Sequence, residues 1–228
     1  MLSWVRRALW DVVPRDHRER SIALRRRQLT TLLVAAAGAV VLGFSLRVEP
    51  GSTSFYWWTL GLAMVWVVGA IAAGPLHLGR ISHRSGYARP VITPIAVGLI
   101  LVALFVVGGL VVREVPALDA QVRQVLVFVD EGVLPLVVMV TGINGIAEEL
   151  FFRGALYAAV TRHPVAVTTV ANALVVLATG NLMLTFAAAL LAVVVGLERR
   201  ASGGILGPIL THVTWSGSML VVLPLLFG

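Results

Sequence analysis

Two adjacent glutamates and an arginine lie inside an apolar stretch of this sequence. They are Glu148, Glu149 and Arg153. An ionised side chain at the centre of a bilayer costs at least about 2.5–3.5 kcal/mol on insertion scales, so such residues are rare and usually functional. Of the eleven acidic residues, only these two glutamates fall clearly inside a predicted membrane span. The search for chemistry therefore begins with them.

Helical spacing divides these side chains between two faces. Residues three or four apart share a helix face, so Asn144 and Glu148 form one polar stripe and Glu149 and Arg153 form another. The order of Glu149 before Arg153 favours an ion pair that fixes helix packing. This pairing leaves Glu148 without a partner on its own helix, and an unpaired buried carboxylate needs a partner or a proton.

A histidine in the last predicted span is the candidate partner of Glu148. His212 is the one histidine predicted inside a span, and a histidine in an apolar helix is often only a packing residue. Together with Glu148, however, it supplies both halves of an acid/base pair. The carboxylate of such a pair accepts a proton from water while the imidazole orients or polarises the reacting group.

The fifth span is predicted to return antiparallel to the fourth. Pro164 follows a short turn, and equal distances from that turn put Thr179 opposite Glu148. Both positions lie about 22 Å from the turn at 1.5 Å per residue. We therefore expect Thr179 to face Glu148 from a neighbouring helix near the middle of the membrane.

Composition indicates the architecture that holds these residues. The chain of 228 residues is 58% apolar and 13% charged, with a mean hydropathy of +0.93. Runs of about twenty apolar residues recur, each long enough to cross a bilayer of roughly 30 Å. The sequence therefore predicts an all-α, polytopic transmembrane helical bundle with about seven spans. These are 29–46, 54–76, 91–112, 132–160, 165–180, 183–197 and 204–226.

The arginines predict an orientation. All eighteen basic residues are arginines, and they concentrate in the N-terminal arm, the 77–90 loop, the 160–164 turn and the gap after 197. Basic loops usually face the cytoplasm, so we expect the N-terminus inside and a multi-pass protein of the cytoplasmic (inner) membrane. Residues 1–28 are predicted to be a basic cytoplasmic arm whose first 13 residues form an interfacial amphipathic helix, with a solvated tail as the alternative. Residues 29–228 form the transmembrane domain.

The segment Glu148-Glu149-Leu-Phe-Phe-Arg153-Gly-Ala-Leu-Tyr157 resembles the EExxxR signature of the CAAX protease and bacteriocin-processing (CPBP, or Abi) family, which includes the type II CAAX prenyl endopeptidases. The resemblance covers roughly residues 132–228, which would form the CPBP-like core. It implies an intramembrane endopeptidase in which Glu148 is the general base that activates water. Glu149 and Arg153 would be its supporting pair, and His212 would help to stabilise the oxyanion.

Two positions depart from the motifs of that family. Its second motif, FxxxH, falls on Val175-Val-Leu-Ala-Thr179, so threonine replaces the histidine. Its third motif, HxxxN or HxxxD, reads His212-Val-Thr-Trp-Ser216. A threonine hydroxyl can hold a water molecule but cannot share a proton near neutral pH as an imidazole can, while Ser216 can donate one hydrogen bond.

Two functions of different classes follow from these residues. The first is a glutamate-type endopeptidase that cleaves a peptide bond near a membrane-anchored end. The alternative is a catalytically silent family member that binds a membrane peptide, a lipid or a partner protein in a cavity lined by Asn144, Thr179, Asn172 and Ser216. A transporter is a third possibility, although the sequence shows no inverted repeat.

The expected partners are membrane lipids and a peptide or lipid-anchored protein. We attribute the net charge of +7 to the excess of basic residues that membrane proteins carry in their cytoplasmic segments, and not to nucleic-acid binding. We expect no cofactor and no metal, because His212 stands alone in the membrane whereas zinc in a protease commonly takes two closely spaced histidines. There is no cysteine, which excludes a thiol nucleophile.

Overall fold

The computed structural model describes residues 3–13, 21–83 and 86–228, and these residues form helices with one short hairpin of strands. The prediction of an all-α membrane bundle is confirmed, and the protein is a multi-pass membrane protein. Its helices are α1 (Ser3–Leu9), α2 (Ser21–Ser45), α3 (Thr53–Ala73), α4 (Ile92–Val112), α5 (Pro116–Asp130), α6 (Leu134–Glu149), a π-helix (Leu150–Leu156), α7 (Tyr157–Ala159), α8 (Pro164–Leu177), α9 (Leu182–Ser202) and α10 (Leu206–Phe227). The strands β1 (Ile81–His83) and β2 (Gly86–Ala88) pair antiparallel.

Six helical segments of the described chain are long and apolar enough to cross a membrane. They are α2, α3, α4, the continuous segment Leu134–Ala159, α9 and α10. The seventh predicted span, 165–180, is the apolar helix α8 of 14 residues. At 1.5 Å per residue it is about 21 Å long, shorter than the roughly 30 Å core of a bilayer. The described residues therefore contain six helical segments long enough to span a membrane, and α8 is an apolar helix too short to do so.

Three predicted boundaries differ from the structure. The 113–131 stretch, predicted as a loop, contains helix α5, because its half-buried side chains recur every three or four residues and Arg123 binds Asp119 on its exposed face. Helix α2 begins at Ser21, inside the predicted 1–28 arm. Helix α9 continues to Ser202, so Arg199 and Arg200 lie in its last turn and not in a loop.

The N-terminal helix is docked on the body of the protein. Val13 N–H donates to the Ala201 carbonyl at 3.0 Å, and Arg200 Nη2 donates to the Leu9 carbonyl at 3.3 Å. Ala8 is buried. The predicted amphipathic helix thus packs against the end of α9. Residues 1–2 and 14–20 of the predicted arm, and Arg84 of the 77–90 loop, lie outside the described residues.

Most of the arginine-bearing segments meet at one end of the bundle. Arg27 Nε donates to the Ala73 carbonyl at the end of α3, and Gln28 Nε2 donates to the Ala159 carbonyl at the end of α7. The Ile205 N–H donates to the His77 carbonyl, which joins the start of α10 to the 77–90 loop. We call this region, which also holds the start of α8 and the end of α9, the arginine-rich end.

Aromatic packing fixes the height of the fourth span against its neighbours. Trp66 of α3 stacks on Phe151 at 4.8 Å and contacts Phe152 at 5.2 Å between ring centroids. Gly38 of α2 makes room for this indole, because a Cβ atom there would lie only 1.9 Å from it. The π-helix that follows the glutamates is therefore held by the core of the protein.

Candidate active site

Glu149 is the centre of the polar cluster. It is 0% exposed, and its Oε1 accepts a hydrogen bond from Arg153 Nη1 at 3.2 Å. The same oxygen lies 2.8 Å from Nδ1 of His212, which is on α10. Because a carboxylate can only accept, this contact places the imidazole proton on Nδ1 and leaves Nε2 for another group. The predicted ion pair of Glu149 and Arg153 is confirmed, and His212 joins it.

His212 is hydrogen-bonded to Glu149 and not to Glu148, and its contact with Gly145 shows which face of α6 it meets. A Cβ atom at Gly145 would lie 3.4–3.7 Å from the imidazole atoms of His212, at ordinary van der Waals distance, so the ring lies beside α6 at this position. Gly145 and Glu149 are four residues apart and share one face of α6. The imidazole therefore meets α6 on the face that carries Glu149. Glu148 is the preceding residue, so its side chain leaves α6 in a different direction.

Glu148 is the less constrained of the two carboxylates. It is half-buried and makes no hydrogen bond to any other residue that the structure describes. The charged groups that act on it most strongly are His212, Glu149 and Arg153. Its carboxylate is therefore adjacent to the His212–Glu149–Arg153 cluster and has lone pairs that are not used by the fold.

A π-helix immediately follows these residues. The Tyr157 N–H donates to the Phe152 carbonyl, five residues earlier, over the segment Leu150–Leu156. Such segments insert one extra residue into a helix and occur frequently at functional sites. Arg153 lies in this segment with 1% exposure, and its carbonyl accepts a hydrogen bond from Arg199 Nε at 2.6 Å. Arg199 in turn lies over the Tyr157 ring, 4.9 Å from its centroid.

Thr179 does not lie on a helix that faces Glu148. Helix α8 ends at Leu177, and Thr179 is in the turn before α9. Its hydroxyl donates to the Val176 carbonyl at 2.7 Å and accepts from the Asn181 N–H at 3.2 Å. The expectation of two continuous antiparallel helices assumed that α8 was as long as the fourth span. In the structure Thr179, which stands where the second motif has its histidine, lies in the turn that ends this short helix.

Asn144 and Ser216 differ in the hydrogen bonds that their side chains make within the described chain. The Nδ2 of Asn144 donates to the carbonyls of Val140 and of Thr59, and so ties α6 to α3. Its Oδ1 is buried without a partner among the described residues. Ser216, one turn beyond His212 on α10, has a buried Oγ that also makes no hydrogen bond within the described chain. Asn144 is thus mainly a packing residue, while Ser216 retains its donor.

Sequence reasoning missed another buried glutamate besides Glu149. Glu198 is 2% exposed and lies on α9. The sequence reasoning misses it because the predicted span, 183–197, ends one residue before it. Its Oε1 is 2.9 Å from Oγ1 of Thr211, which also lies 3.0 Å from the Pro94 carbonyl. This contact links α4, α9 and α10 beside His212. A signal was present in the sequence, because one charged residue near the end of an apolar run does not by itself end the helix, and α9 continues for another turn.

The cluster can carry out acid/base chemistry. It offers a carboxylate with unused lone pairs, an imidazole with one nitrogen held by a second carboxylate, and a guanidinium that balances the charge of that carboxylate. Among the residues that the structure describes, no three His, Asp or Glu side chains converge as ligands of a metal ion would. The geometry therefore provides a proton acceptor and an oriented imidazole in a buried site.

Comparison with known proteins agrees with the resemblance seen in the motifs. The chain gives no match among curated proteins and none among solved structures. One family model matches residues 130–218, and its description is type II CAAX prenyl endopeptidase Rce1-like. The matched segment contains Glu148, Glu149, Arg153 and His212. The segment that builds the candidate active site is therefore similar to the type II CAAX prenyl endopeptidases that this Rce1-like model describes.

Proposed function

We propose that this protein is an intramembrane endopeptidase that cleaves a peptide bond near the membrane-anchored end of its substrate. The observation that carries the proposal is the orientation of His212 by Glu149, directly beside a carboxylate that the fold does not otherwise use. A purely structural ion pair of Glu149 and Arg153 needs neither His212 nor Glu148. The Rce1-like segment supports the same reaction class.

Each side chain of the cluster has one role in the proposed hydrolysis. Glu148 accepts a proton from water as the water oxygen attacks the carbonyl carbon of the scissile bond. His212 directs Nε2 toward the reacting group, because Nδ1 is held on Glu149. The proton then passes from Glu148 to the amide nitrogen as the C–N bond breaks, which leaves one new carboxyl and one new amino terminus. Arg153 and Glu149 keep the imidazole in place.

Hydrolysis in water enriched in oxygen-18 tests the proposed function. The purified protein, reconstituted in vesicles, is expected to cleave a lipid-anchored peptide and to place one oxygen-18 atom in the new carboxyl terminus. The same peptide without an anchor should be cleaved much more slowly. His212→Ala should lose activity, and Glu131→Gln, which changes an exposed acid outside the cluster, should retain it. Cleavage by His212→Ala at the natural rate would contradict the proposed site.

The position of the arginines supports an orientation in the membrane. Basic segments meet at the arginine-rich end, and such segments usually face the cytoplasm. We therefore place that end, with the N-terminus, on the inner side of a cytoplasmic membrane. The proposed partners are the lipids of that membrane and a peptide or lipid-anchored protein.

A second candidate function is a silent binding protein of the same family. It is favoured by Thr179, whose hydroxyl is engaged by the turn and supplies no proton-transfer group. In this case a membrane peptide would be captured and not cleaved, and Glu148→Gln would leave the amount of crosslinked peptide unchanged. Oxygen-18 in a product of the natural chain, absent from Glu148→Gln, would exclude this candidate.

Gly145 provides a test of the His212 position. Gly145→Leu is expected to push the imidazole away from Glu149 and to lower cleavage roughly 10²-fold, since small displacements of a reacting group have effects of that size. The control is Gly142→Leu, one turn earlier on α6, where an added Cβ meets nothing within 4 Å. Rates are measured with the anchored peptide. Equal rates for the two variants would show that the approach of His212 to α6 does not matter.

A further inference from the structure

Glu198 is a buried carboxyl group that the proposed hydrolysis does not use. It lies on α9, one turn before that helix ends at Ser202, and it is 2% exposed. Its Oε1 contacts Thr211 Oγ1 at 2.9 Å, and its Oε2 is buried without a hydrogen-bond partner among the described residues. A buried carboxylate ordinarily accepts several hydrogen bonds or pairs with a cation, because burying an unpaired charge is very costly. The fold must therefore compensate Glu198 in another way.

The surroundings of Glu198 supply no positive charge. No basic side chain of the described residues forms an ion pair with it, and the charged group that acts on it is Glu149, which has the same sign. A cavity of about 10 Å³ lies beside Glu198, enough for one water-sized particle. Its other polar wall residues are Thr93 and Ser202, and no basic residue lines it within the described chain. An ionised Glu198 would therefore have no counterion from the part of the protein that the structure describes.

Two short contacts of Thr211 require two protons. Thr211 is fully buried on α10, and its Oγ1 lies 2.9 Å from Glu198 Oε1 and 3.0 Å from the Pro94 carbonyl of α4. A threonine hydroxyl has one proton to donate, and a backbone carbonyl can only accept. If Glu198 were ionised, two acceptors would compete for that single proton. If Glu198 carries a proton on Oε1, it donates to Thr211 and Thr211 donates to Pro94, so that both contacts are hydrogen bonds.

This chain of contacts joins three helices next to His212. Pro94 is on α4, Glu198 is on α9, and Thr211 on α10 directly precedes the histidine. Helices α4 and α10 pack closely there, because a Cβ atom at Gly98 would lie 3.0 Å from the Thr211 carbonyl oxygen. A rotation of α10 about its axis that breaks the contacts of Thr211 also displaces the imidazole of the next residue. The hydrogen bonds of Glu198 are thereby coupled to the orientation of His212.

We propose that Glu198 carries a proton and is a positioning residue for His212. Its carboxyl group donates to Thr211, Thr211 donates to Pro94, and these bonds hold α10 in the rotation at which the imidazole meets Glu149. In this role Glu198 does not touch the reacting atoms. The proton on Glu198 is independent of peptide cleavage, whereas its effect on the rate rests on the proposed function.

Infrared difference spectroscopy tests for the proton without any substrate. The carbonyl stretch of a protonated carboxyl group is separate from the two stretches of a carboxylate, so the spectrum of the natural chain minus that of Glu198→Gln shows which form was removed. At neutral pH we expect the loss of one protonated carboxyl band. The control is Glu131→Gln, at an exposed acid, which should remove carboxylate bands instead. Loss of carboxylate bands in Glu198→Gln, as in the control, would overturn the proposal.

A substitution at Thr211 tests where the proton is donated, and it leaves Glu198 in place. Thr211→Val removes the acceptor of the carboxyl proton, so the protonated band should move to the higher frequency of a carboxyl group with a weaker hydrogen bond. Thr214→Val, one turn further along α10, should leave the band where it is. The same band position in both variants would contradict the proposed bond between Glu198 and Thr211.

A cation in the small cavity is the other way to balance a charge on Glu198. Besides Glu198, the cavity offers the hydroxyl groups of Thr93 and Ser202. Infrared spectra of the natural chain are therefore recorded in sodium and in choline buffers of equal ionic strength. The proposal predicts identical spectra. A carboxylate band in sodium that is replaced by a protonated band in choline would assign a sodium site to the cavity and would overturn the proposal.

Cleavage rates test the positioning role. Glu198→Leu has no proton to donate, so we expect kcat for the anchored peptide to fall about 10²-fold with little change in KM, the effect of misplacing a reacting group. Glu198→Gln, whose amide can donate to Thr211, should recover most of that loss. A natural rate in both Glu198→Leu and Thr211→Val would overturn the positioning role. If the natural chain cleaves no peptide, the proposed function fails, while the infrared bands still decide whether Glu198 carries a proton.

Discussion

Replacing Glu148 with Gln is expected to lower the rate of peptide cleavage by about 10²–10⁴-fold, the usual contribution of one general base. The amide has the same shape as the carboxyl group but cannot accept a proton from water. Glu148 is half-buried and makes no hydrogen bond to the rest of the described chain. The substitution should therefore change the free energy of unfolding by less than about 1 kcal/mol. Both quantities are measured on the same preparation, as cleavage of the anchored peptide and as denaturant unfolding in micelles.

Glu149→Gln is the matched variant at the adjacent position. It removes the charge that balances Arg153 and replaces the carboxylate that holds His212 with a neutral amide, so we expect it to lower stability as well as activity. Glu131→Gln should change neither quantity. This pattern distinguishes a base from a positioning residue. If Glu149→Gln destroyed cleavage in a stable protein and Glu148→Gln did not affect it, the two roles would have to be exchanged.

Replacing Arg153 with Ala is expected to lower the free energy of unfolding by about 3–5 kcal/mol. Arg153 and Glu149 are 1% and 0% exposed, and the substitution leaves the carboxylate in a low-dielectric interior, where His212 still contacts it. Removing one partner of a buried ion pair is costly because the other charge remains buried. The measurement is reversible unfolding in mixed micelles, followed by circular dichroism.

An exposed pair of the same spacing provides the control. Arg123 and Asp119 on α5 are also four residues apart, at 2.8 Å, but the Arg123 side chain is 54% exposed. Arg123→Ala should cost no more than about 1 kcal/mol, because water replaces the lost partner. The double variant Glu149→Gln/Arg153→Met should recover part of the loss, since neither residue then leaves an uncompensated charge. A cost for Arg153→Ala as small as that for Arg123→Ala would contradict the buried-pair interpretation.

Local features of the chain were readable without the structure. Hydropathy predicted a helical membrane bundle because a helix is the simplest way to satisfy backbone polar groups in lipid. The four-residue spacing of Glu149 and Arg153 predicted their ion pair, since both lie on one helix and no distant contact is needed to bring them together. The Rce1-like segment was recognisable for a similar reason, because its signature is continuous in sequence.

Contacts between helices could not be predicted from the spacing of residues along the sequence. The sequence suggested that His212 pairs with the glutamate that lacked a partner, but the structure joins it to Glu149. The imidazole meets α6 beside Gly145, which shares a helix face with Glu149. Thr179 was misplaced because the length of α8 is decided by the turn that follows Leu177 and not by its apolar composition.

The sequence by itself thus determined the membrane setting, the helices and the residues that can do chemistry, because each of these follows from the character of one local segment. The tertiary structure decided which carboxylate holds the imidazole and which remains available to water. It also brought Glu198 beside Thr211. The physical reason is the same in each case: the distance between two helices is set by the side chains at their closest approach, and that approach is a property of the packed bundle.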